Sequence, residues 1–464
     1  MASIRPGFTS LTTGARPITT KPSALRRLRD RSSTFWIQVF VLFQICCQLA
    51  LLSSSFGSFR LMLRIASFGL SIAFLFALRG RGERHPASTA AKWILGIVFL
   101  SLFHPNTNLA AGVAQCVMYL AILAPLFWVS RLKVDVNGLR RVILILWVFY
   151  TLSAAVGILQ VYAPGRFQPN LSAIYAAMDE GFIADLSITT ASGQRVLRPM
   201  GLTDIPGGAA TGGYYAVLFG LGFFLIERKA WVKVASIVSI IIGLGSIYLS
   251  QLRSVLIMAA ICIVALTAIL IWKRNVAKFS MLLMILVIAV LGSFYLAVSL
   301  AGTSVTTRLS SLVDARPTEV YYRSRGIFLE YTLRELLPVY PLGAGLGRWG
   351  MMSSYFGQKG DPTKKALYAE IQWTGWLLDG GVPLMIAYMI ALLMALYAAW
   401  RVVQKPPHLF GNLYLWGALL LAYNVSAIAL TFSYPLFIGQ AGLEFWLLNA
   451  AIFAAARNSP KSNR

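Results

Sequence analysis

The chain alternates between long apolar runs and polar connections. Twelve runs stand out, at roughly 35–53, 61–78, 91–103, 109–129, 142–162, 209–226, 231–250, 255–272, 279–301, 382–400, 412–433 and 438–456. A helix needs ~20 apolar residues to cross the hydrocarbon layer. Backbone facing lipid must satisfy its own hydrogen bonds, so runs this apolar predict helices and not sheet. The third run is short and the tenth has a disturbed start. With 58% hydrophobic and 12% charged residues, the pattern predicts an all-α integral membrane protein of about twelve transmembrane helices.

Positive charge sorts the connections into two sets. Seven Lys and Arg lie in 1–34, four in 79–92, four in 131–141, three in 227–233, three in 273–278, two in 401–405 and three in 457–464, which is 26 of the 41. Only Asp30, Glu83, Asp135 and Glu227 oppose them. Short basic loops stay inside, which puts both termini in the cytoplasm of a multi-pass protein. The net charge of +25 is therefore mostly topogenic. Such a face attracts anionic lipid headgroups; charge scattered over seven short connections does not suit nucleic acid. Residues 1–34 are basic and rich in Ser, Thr and Pro, which predicts a disordered cytoplasmic tail. Arg26-Arg27 faintly resembles a twin-arginine signal, but the next run is too long for a signal-peptide core and lacks a small-x-small cleavage site. It reads as a retained span, so 35–456 form the membrane domain and 457–464 a second tail. Cys46, Cys47, Cys116 and Cys262 all lie in apolar runs, which argues against a disulfide framework or a thiolate metal site.

Two outer connections are long: loop A, 163–208, and loop B, 302–381. Connections beyond about fifteen residues are usually functional or disordered. Within loop B, residues 322–337 space Ile327, Leu329, Leu333, Leu336 and Leu337 near helical period. That predicts an amphipathic helix, lying on the membrane surface or packed on the bundle rim. Twelve of the fifteen outer basic residues are Arg: Arg60, Arg64, Arg166, Arg195, Arg198, Arg253, Arg308, Arg316, Arg323, Arg325, Arg334 and Arg348. Guanidinium forks match phosphate oxygens bidentately. The plainer reading is pairing with loop acids such as Asp204, Glu319, Glu330 and Glu335. Arg253 has no acid near it in sequence. Glu444 falls inside a span and predicts a pairing with an Arg.

Three stretches together resemble the O-antigen ligase and Wzy-type polymerase superfamily. Arg198-Pro-Met-Gly201-Leu-Thr-Asp-Ile-Pro206-Gly-Gly-Ala looks like that family's Arg-x-x-Gly segment. Ser250-Gln-Leu-Arg253-Ser254 takes the place of its outer Ser-Arg turn. Pro341-Leu-Gly343-Ala-Gly345-Leu-Gly347-Arg-Trp349 is similar to its Pro-Leu-x-Gly-x-Gly turn. The likeness covers nearly the whole chain in layout but only some forty residues in motif. The family's His-Asn at the entry to the tenth span is missing. Aligning Asp379-Gly-Gly381 and Trp373 with the family pattern puts Glu370 in the place of the His. Glu370 can equally be an ordinary acid at a helix start near Lys364 and Lys365. His85 and His408 fall on the cytoplasmic side, and His104, in a short outer turn, is a distant second candidate.

The resemblance implies a GT-C-like membrane enzyme in the bacterial cytoplasmic (inner) membrane. Its donor would be a glycan on polyprenyl diphosphate and its acceptor a glycan or lipid. Chain-length regulators or export proteins would be its partners. Attack of an acceptor hydroxyl on the sugar C1 needs a base, worth about 10²–10⁴-fold, and cations at the leaving diphosphate. On this reading Glu370, Arg198 and Arg253 are catalytic. Arg323, Arg325, Arg348, Gly345, Gly347 and Asp379 bind substrate; the glycine string can equally be no more than a tight turn. The chain has no Asp-x-Asp, so the reading needs no metal and no cofactor, and a single displacement inverts the anomeric centre. A flippase is the main alternative and a structural envelope partner the third.

Overall fold

Each of the twelve apolar runs contains a helix. They are α1 Ser33–Leu52, α2 Arg60–Ala77, α3 Ser88–Ser101, α4 Leu109–Leu123, α5 Val136–Tyr162, α6 Gly208–Ile226, α7 Ala230–Ser250, α8 Arg253–Trp272 and α9 Val276–Ala301. In the long connection that follows, Tyr322–Gly326, Ile327–Tyr331, Thr332–Leu336 and Leu337–Val339 run on as one helix, α10, with two π-type turns. Then come α11 Gly350–Phe356, α12 Gln372–Val403, α13 Leu413–Leu430 and α14 Gln440–Asn458. The computed structural model describes residues 33–78, 82–169, 183, 186–190, 193–302, 305–307, 310, 319, 321–357, 366–406 and 411–458. Among these, ten helices are long and apolar enough to cross a membrane. The chain is an all-α, multi-pass membrane protein. The shorter α3 has 14 residues, and α14 carries Glu444, Asn449 and Arg457.

The bundle is built around α6. It is apolar on every side, and 94% of its spanning window is buried, as expected for a helix ringed by other helices. It packs on α5, α7, α8 and α13. Gly213 and Gly243 let α6 and α7 touch backbone to backbone; a Cβ on Gly213 would sit 2.4 Å from Gly243 O. Small residues at crossings supply this close packing where lipid removes the hydrophobic drive.

Side-chain contacts sort the two ends. At the basic end Arg140 pairs with Glu227 at 2.6 Å, and Arg457 donates to the carbonyls of Glu83, Ser130 and Leu132. At the other end lie the long connections, whose described residues form further elements. Loop A contains an antiparallel hairpin of β1 Ser187–Thr189 and β2 Arg195–Leu197, with Ile188 opposite Val196. In loop B the amphipathic helix forms and docks on α12, where Thr332 and Thr374 hydroxyls meet at 2.6 Å. Of its predicted apolar face, Leu336 is buried while Ile327 and Leu333 stay half exposed. One side packs on the rim and another remains open.

The disturbed start of the tenth run is a break in α12. Gly380 and Gly381 leave helical geometry, Gly381 with φ +66°, and Pro383 follows. The strap 341–349 closes the gap: Ala344 N–H donates to Leu378 O at 2.8 Å and Val382 N–H to Pro341 O at 2.9 Å. The part of α12 beyond the break is about 33 Å long at 1.5 Å per residue, enough to cross by itself. The part before it, up to Asp379, therefore stands at the loop-bearing end.

Glu444 departs from its expected Arg pairing. It accepts from Tyr150 Oη and from Gln440 Nε2 (3.2 Å), and among the described residues it forms no ion pair. Neutral donors meet its Oε1 instead, Gln440 from one turn earlier on α14 and Tyr150 from α5, with Tyr150 stacked on Tyr215 at 4.6 Å.

Single cysteines at Ser58, Ser324, Asn137 and Gln404, in a chain cleared of Cys46, Cys47, Cys116 and Cys262, test the two-ended layout. An impermeant maleimide on intact cells is expected to label the first pair and spare the second. Labelling of Asn137 and Gln404 instead would reverse the orientation that the charge bias gives.

Candidate functional site at the loop-bearing end

Arg198 directly follows β2, and its N–H donates to Leu186 O at 2.8 Å. The chain then turns over Gln160 of α5. Gln160 Oε1 accepts from Met200 and Gly201 N–H, both at 2.8 Å, and Nε2 donates to Gly201 O at 2.9 Å. Leu202 N–H donates to Ser153 Oγ at 3.0 Å. A Cβ on Gly201 would stand 2.6 Å from that same Oγ. Two side chains on one face of α5 thus satisfy a buried turn whose backbone would otherwise lack partners, and they set where Arg198 stands.

Arg253 opens α8. The preceding Leu252 packs on Gly207, where a Cβ would fall 2.8 Å from Leu252 Cδ1. The two arginine-bearing turns therefore meet at the start of α6, and both arginines bury their Nε. Between them Asp204 pairs with Arg64 of α2 at 2.5 Å, with side chains 17% and 7% exposed for Arg64 and Asp204. Arg64 Nη1 also reaches Met351 Sδ of α11 at 3.3 Å. This ion pair ties α2, loop A and loop B together. Arg60 donates to Leu51 O at 3.2 Å, so both arginines at this edge of α2 find acceptors.

Glu370 lies at the same depth, across the end of α13. Asn275, just after α8, donates to Tyr414 near the start of α13 at 2.9 Å, and Cys262 lies beside Ser426 farther along α13. Thus α8 and α13 run antiparallel, and Arg253 is level with the segment beyond Leu430. That segment also receives the start of α12: Gln372 N–H donates to Thr431 O at 3.0 Å and Trp373 Nε1 to Thr431 Oγ1 at 3.2 Å. Glu370, just before α12, is ion-paired with Arg325 of α10 and accepts from Tyr368 Oη. It edges a cleft of about 380 Å³ with Phe328, Tyr331, Leu336, Leu367 and Tyr368. A carboxylate beside aromatic faces in an open cleft suits a ligand with both hydroxyls and flat C–H surfaces.

Other expected site residues have different tasks. Arg323 is 78% exposed and pairs with Glu319 at 2.6 Å, away from the cleft. Gly345 and Gly347 meet protein and not open space. With φ of +94° and +70°, they lie against the His104–Asn108 turn and α4, where a Cβ would come within 2.8 Å of Thr107 N and 2.5 Å of Ala111 Cβ. Only glycine combines that backbone with that approach. Asp379 is fully buried. Its Oδ1 accepts from Trp349 Nε1 at 2.8 Å; its Oδ2 accepts from Tyr119 Oη at 2.7 Å and Gln115 Nε2 at 3.1 Å. With both oxygens occupied it holds the strap to α4. Arg348 is 5% exposed and donates to Ala344 O at 3.2 Å inside that strap. Burial, helped by Arg348, lowers the pKa of His104, and its Nδ1 accepts from Asn106 N–H at 3.2 Å. The proton then sits on Nε2, which makes His104 a donor and a poor base. His85 is buried at the basic end, where burial pushes it down to about 3. Arg308, Arg316 and His408 lie outside the described residues.

Sequence reading missed Gln115, Tyr119, Ser153 and Gln160. Their signal was spacing: Gln115 and Tyr119 are one turn apart, Ser153 and Gln160 two turns, each a polar pair on one face of an apolar helix. Compared with models of known families and with curated proteins, the chain matches none.

The Asp379 hub carries a stability prediction. Asp379→Ala leaves three buried donors without an acceptor and is expected to cost about 3 kcal/mol or more. Asp379→Asn, which keeps an acceptor, is expected to recover most of that. Thermal unfolding in detergent measures both, and a wild-type midpoint for Asp379→Ala would remove Asp379 from its place as the hub.

Proposed function

We propose that this chain is a membrane glycosyltransferase of the O-antigen ligase and polymerase type. It would join polyprenyl-diphosphate-linked glycans on the outer face of a bacterial cytoplasmic membrane. In this reading all twelve helices cross, both termini are cytoplasmic and the loop-bearing end is outside. The observation that carries it is the convergence of the three motif stretches. The Arg198 turn, the Arg253 turn and the Gly343–Trp349 strap all lie at one end of the bundle, level with a carboxylate in an aromatic cleft.

The residues support one division of labour. Arg198 and Arg253, on turns fixed by α5 and α6, take the diphosphate at the membrane boundary. The acceptor enters the cleft, its ring against Phe328 or Tyr331. Glu370 takes the hydroxyl proton as the oxygen bonds to the sugar C1. The C1–O bond to the diphosphate breaks, and its electron pair leaves with the lipid carrier, where the guanidiniums stabilise it. Arg325 orients Glu370. No step calls for a metal ion, and the configuration at C1 inverts. A repeat-unit polymerase fits slightly better than a ligase, since the family's His is replaced.

A flippase is the alternative. Its support is Glu444, a carboxyl buried within a helix bundle. The break in α12 argues the other way, because it stands at the outer end while transporter sites built on broken helices lie at the midplane.

An assay of purified protein with a lipid-diphosphate-linked glycan, run in EDTA, tests the enzyme reading. Wild type is expected to transfer glycan. Glu370→Gln is expected to lose about 10²–10⁴-fold with donor binding intact. Arg198→Lys and Arg253→Lys are each expected to lose about tenfold or more, because a point charge cannot replace the fork. Near-normal turnover by Glu370→Gln moves the base elsewhere, and activity restored only by Mg²⁺ or Mn²⁺ contradicts the metal-free step.

A further inference from the structure

A second concave site lies at the opposite, basic end, and the glycan reading makes no use of it. It encloses about 430 Å³ and is lined by Lys273, Arg274, Asn275, Lys405 and Tyr414, with Val276 and Ala277. Three cations face it and, among the described residues, no carboxylate lines it. The ion pair at this end, Arg140 with Glu227, is made elsewhere.

The pocket is built, and its construction carries a cost. α8 closes with Arg274 N–H donating to Ile271 O at 2.8 Å and Asn275 N–H to Leu270 O at 3.0 Å. That pattern puts Arg274 at the position where glycine is usual. Arg274 adopts φ +52°, a left-handed geometry that costs a side-chain-bearing residue about 1 kcal/mol. A residue retained against such strain points to a use for its side chain. Asn275 caps α9 by accepting from Lys278 N–H at 3.2 Å, and its amide donates to Tyr414 Oη at 2.9 Å. Tyr414 thus spends an acceptor and keeps its own O–H to give. Lys405 is steered by the carbonyl of Ala456 near the end of α14.

The rim sets the depth. Trp272 stacks on Trp400 at 4.6 Å and Lys273 sits over Trp272 at 4.7 Å. Trp272 is 51% exposed and Val276 70% exposed on the bundle perimeter. Indoles beside basic residues at helix ends mark headgroup level.

We infer that this pocket binds a phosphate-bearing anion, with Lys273, Arg274, Lys405 and Tyr414 as its donors. The group can arrive as the headgroup of an anionic phospholipid or as phosphate from solution. The inference stands apart from the glycosyltransferase reading, since it needs only the membrane fold.

Thermal unfolding in phosphatidylcholine vesicles, with and without a fifth of the lipid as phosphatidylglycerol, tests it. Native mass spectrometry counts retained phosphatidylglycerol in parallel. The variants are Arg274→Gly, Lys273→Gln and, as a charge-matched control outside the pocket, Lys229→Gln. Arg274→Gly relieves the backbone strain, so in phosphatidylcholine alone it should be at least as stable as wild type. Arg274→Gly and Lys273→Gln should each retain about fivefold less phosphatidylglycerol, as expected for one basic contact, and Lys229→Gln should match wild type. If inorganic phosphate added to phosphatidylcholine vesicles gives the same stabilisation, and Arg274→Gly abolishes it, the anion comes from solution. Equal losses in all three variants, or no stabilisation of wild type by either anion, overturn the inference.

Discussion

The arrangement at the loop-bearing end depends on how the break in α12 is closed. A spanning helix that leaves helical geometry exposes backbone groups where lipid offers no partners. Here the strap supplies them, through Pro341 O and Ala344 N–H. Asp379 then anchors the strap to α4 through Trp349, Tyr119 and Gln115. The same break lets the first turns of α12 lie against α10, which places Glu370 beside Arg325. Without that closure neither the cleft nor the position of Arg348 would be defined.

Charge in this molecule does two separate jobs. Lys and Arg crowd the short connections at one end, where they end helices or bind carbonyls, as Arg457 does. At the loop-bearing end several arginines are fixed by protein. Arg64 holds Asp204, Arg325 holds Glu370, and Arg198 and Arg253 bury part of their guanidinium stems. Fixed guanidiniums give up little further freedom on meeting a phosphate, which is the condition for preorganised stabilisation of a leaving group. The two proposed sites, one at each end, would both take anions, in keeping with a protein whose proposed substrates and solvent both carry phosphate.

The helices were legible because lipid demands long apolar runs, and even the fault in the tenth showed in its pattern. The helix in loop B was legible by period. The hairpin of loop A was not, since strands of three residues carry too little alternation to read. Glu444 was misread because a buried acid suggests a cation, whereas Tyr150 and Gln440 donate to its Oε1 in place of one. Gly345, Gly347 and Asp379 were assigned to substrate because their surroundings come from α4 and the His104–Asn108 turn, more than two hundred residues away in sequence. Pairings at that separation leave no local mark. The polar pairs on α4 and α5 did leave one, a turn or two apart on an apolar face.

The glycosyltransferase reading meets its most direct test in cells lacking the gene, by asking on which leaflet the lipid-linked glycan collects. The account predicts loss of surface polymer, with unpolymerised or untransferred lipid-diphosphate glycan building up on the outer leaflet, open to an added glycosidase in spheroplasts. Build-up on the inner leaflet would make the protein a flippase, and an unchanged lipid-linked pool with normal surface polysaccharide would contradict the proposed function outright.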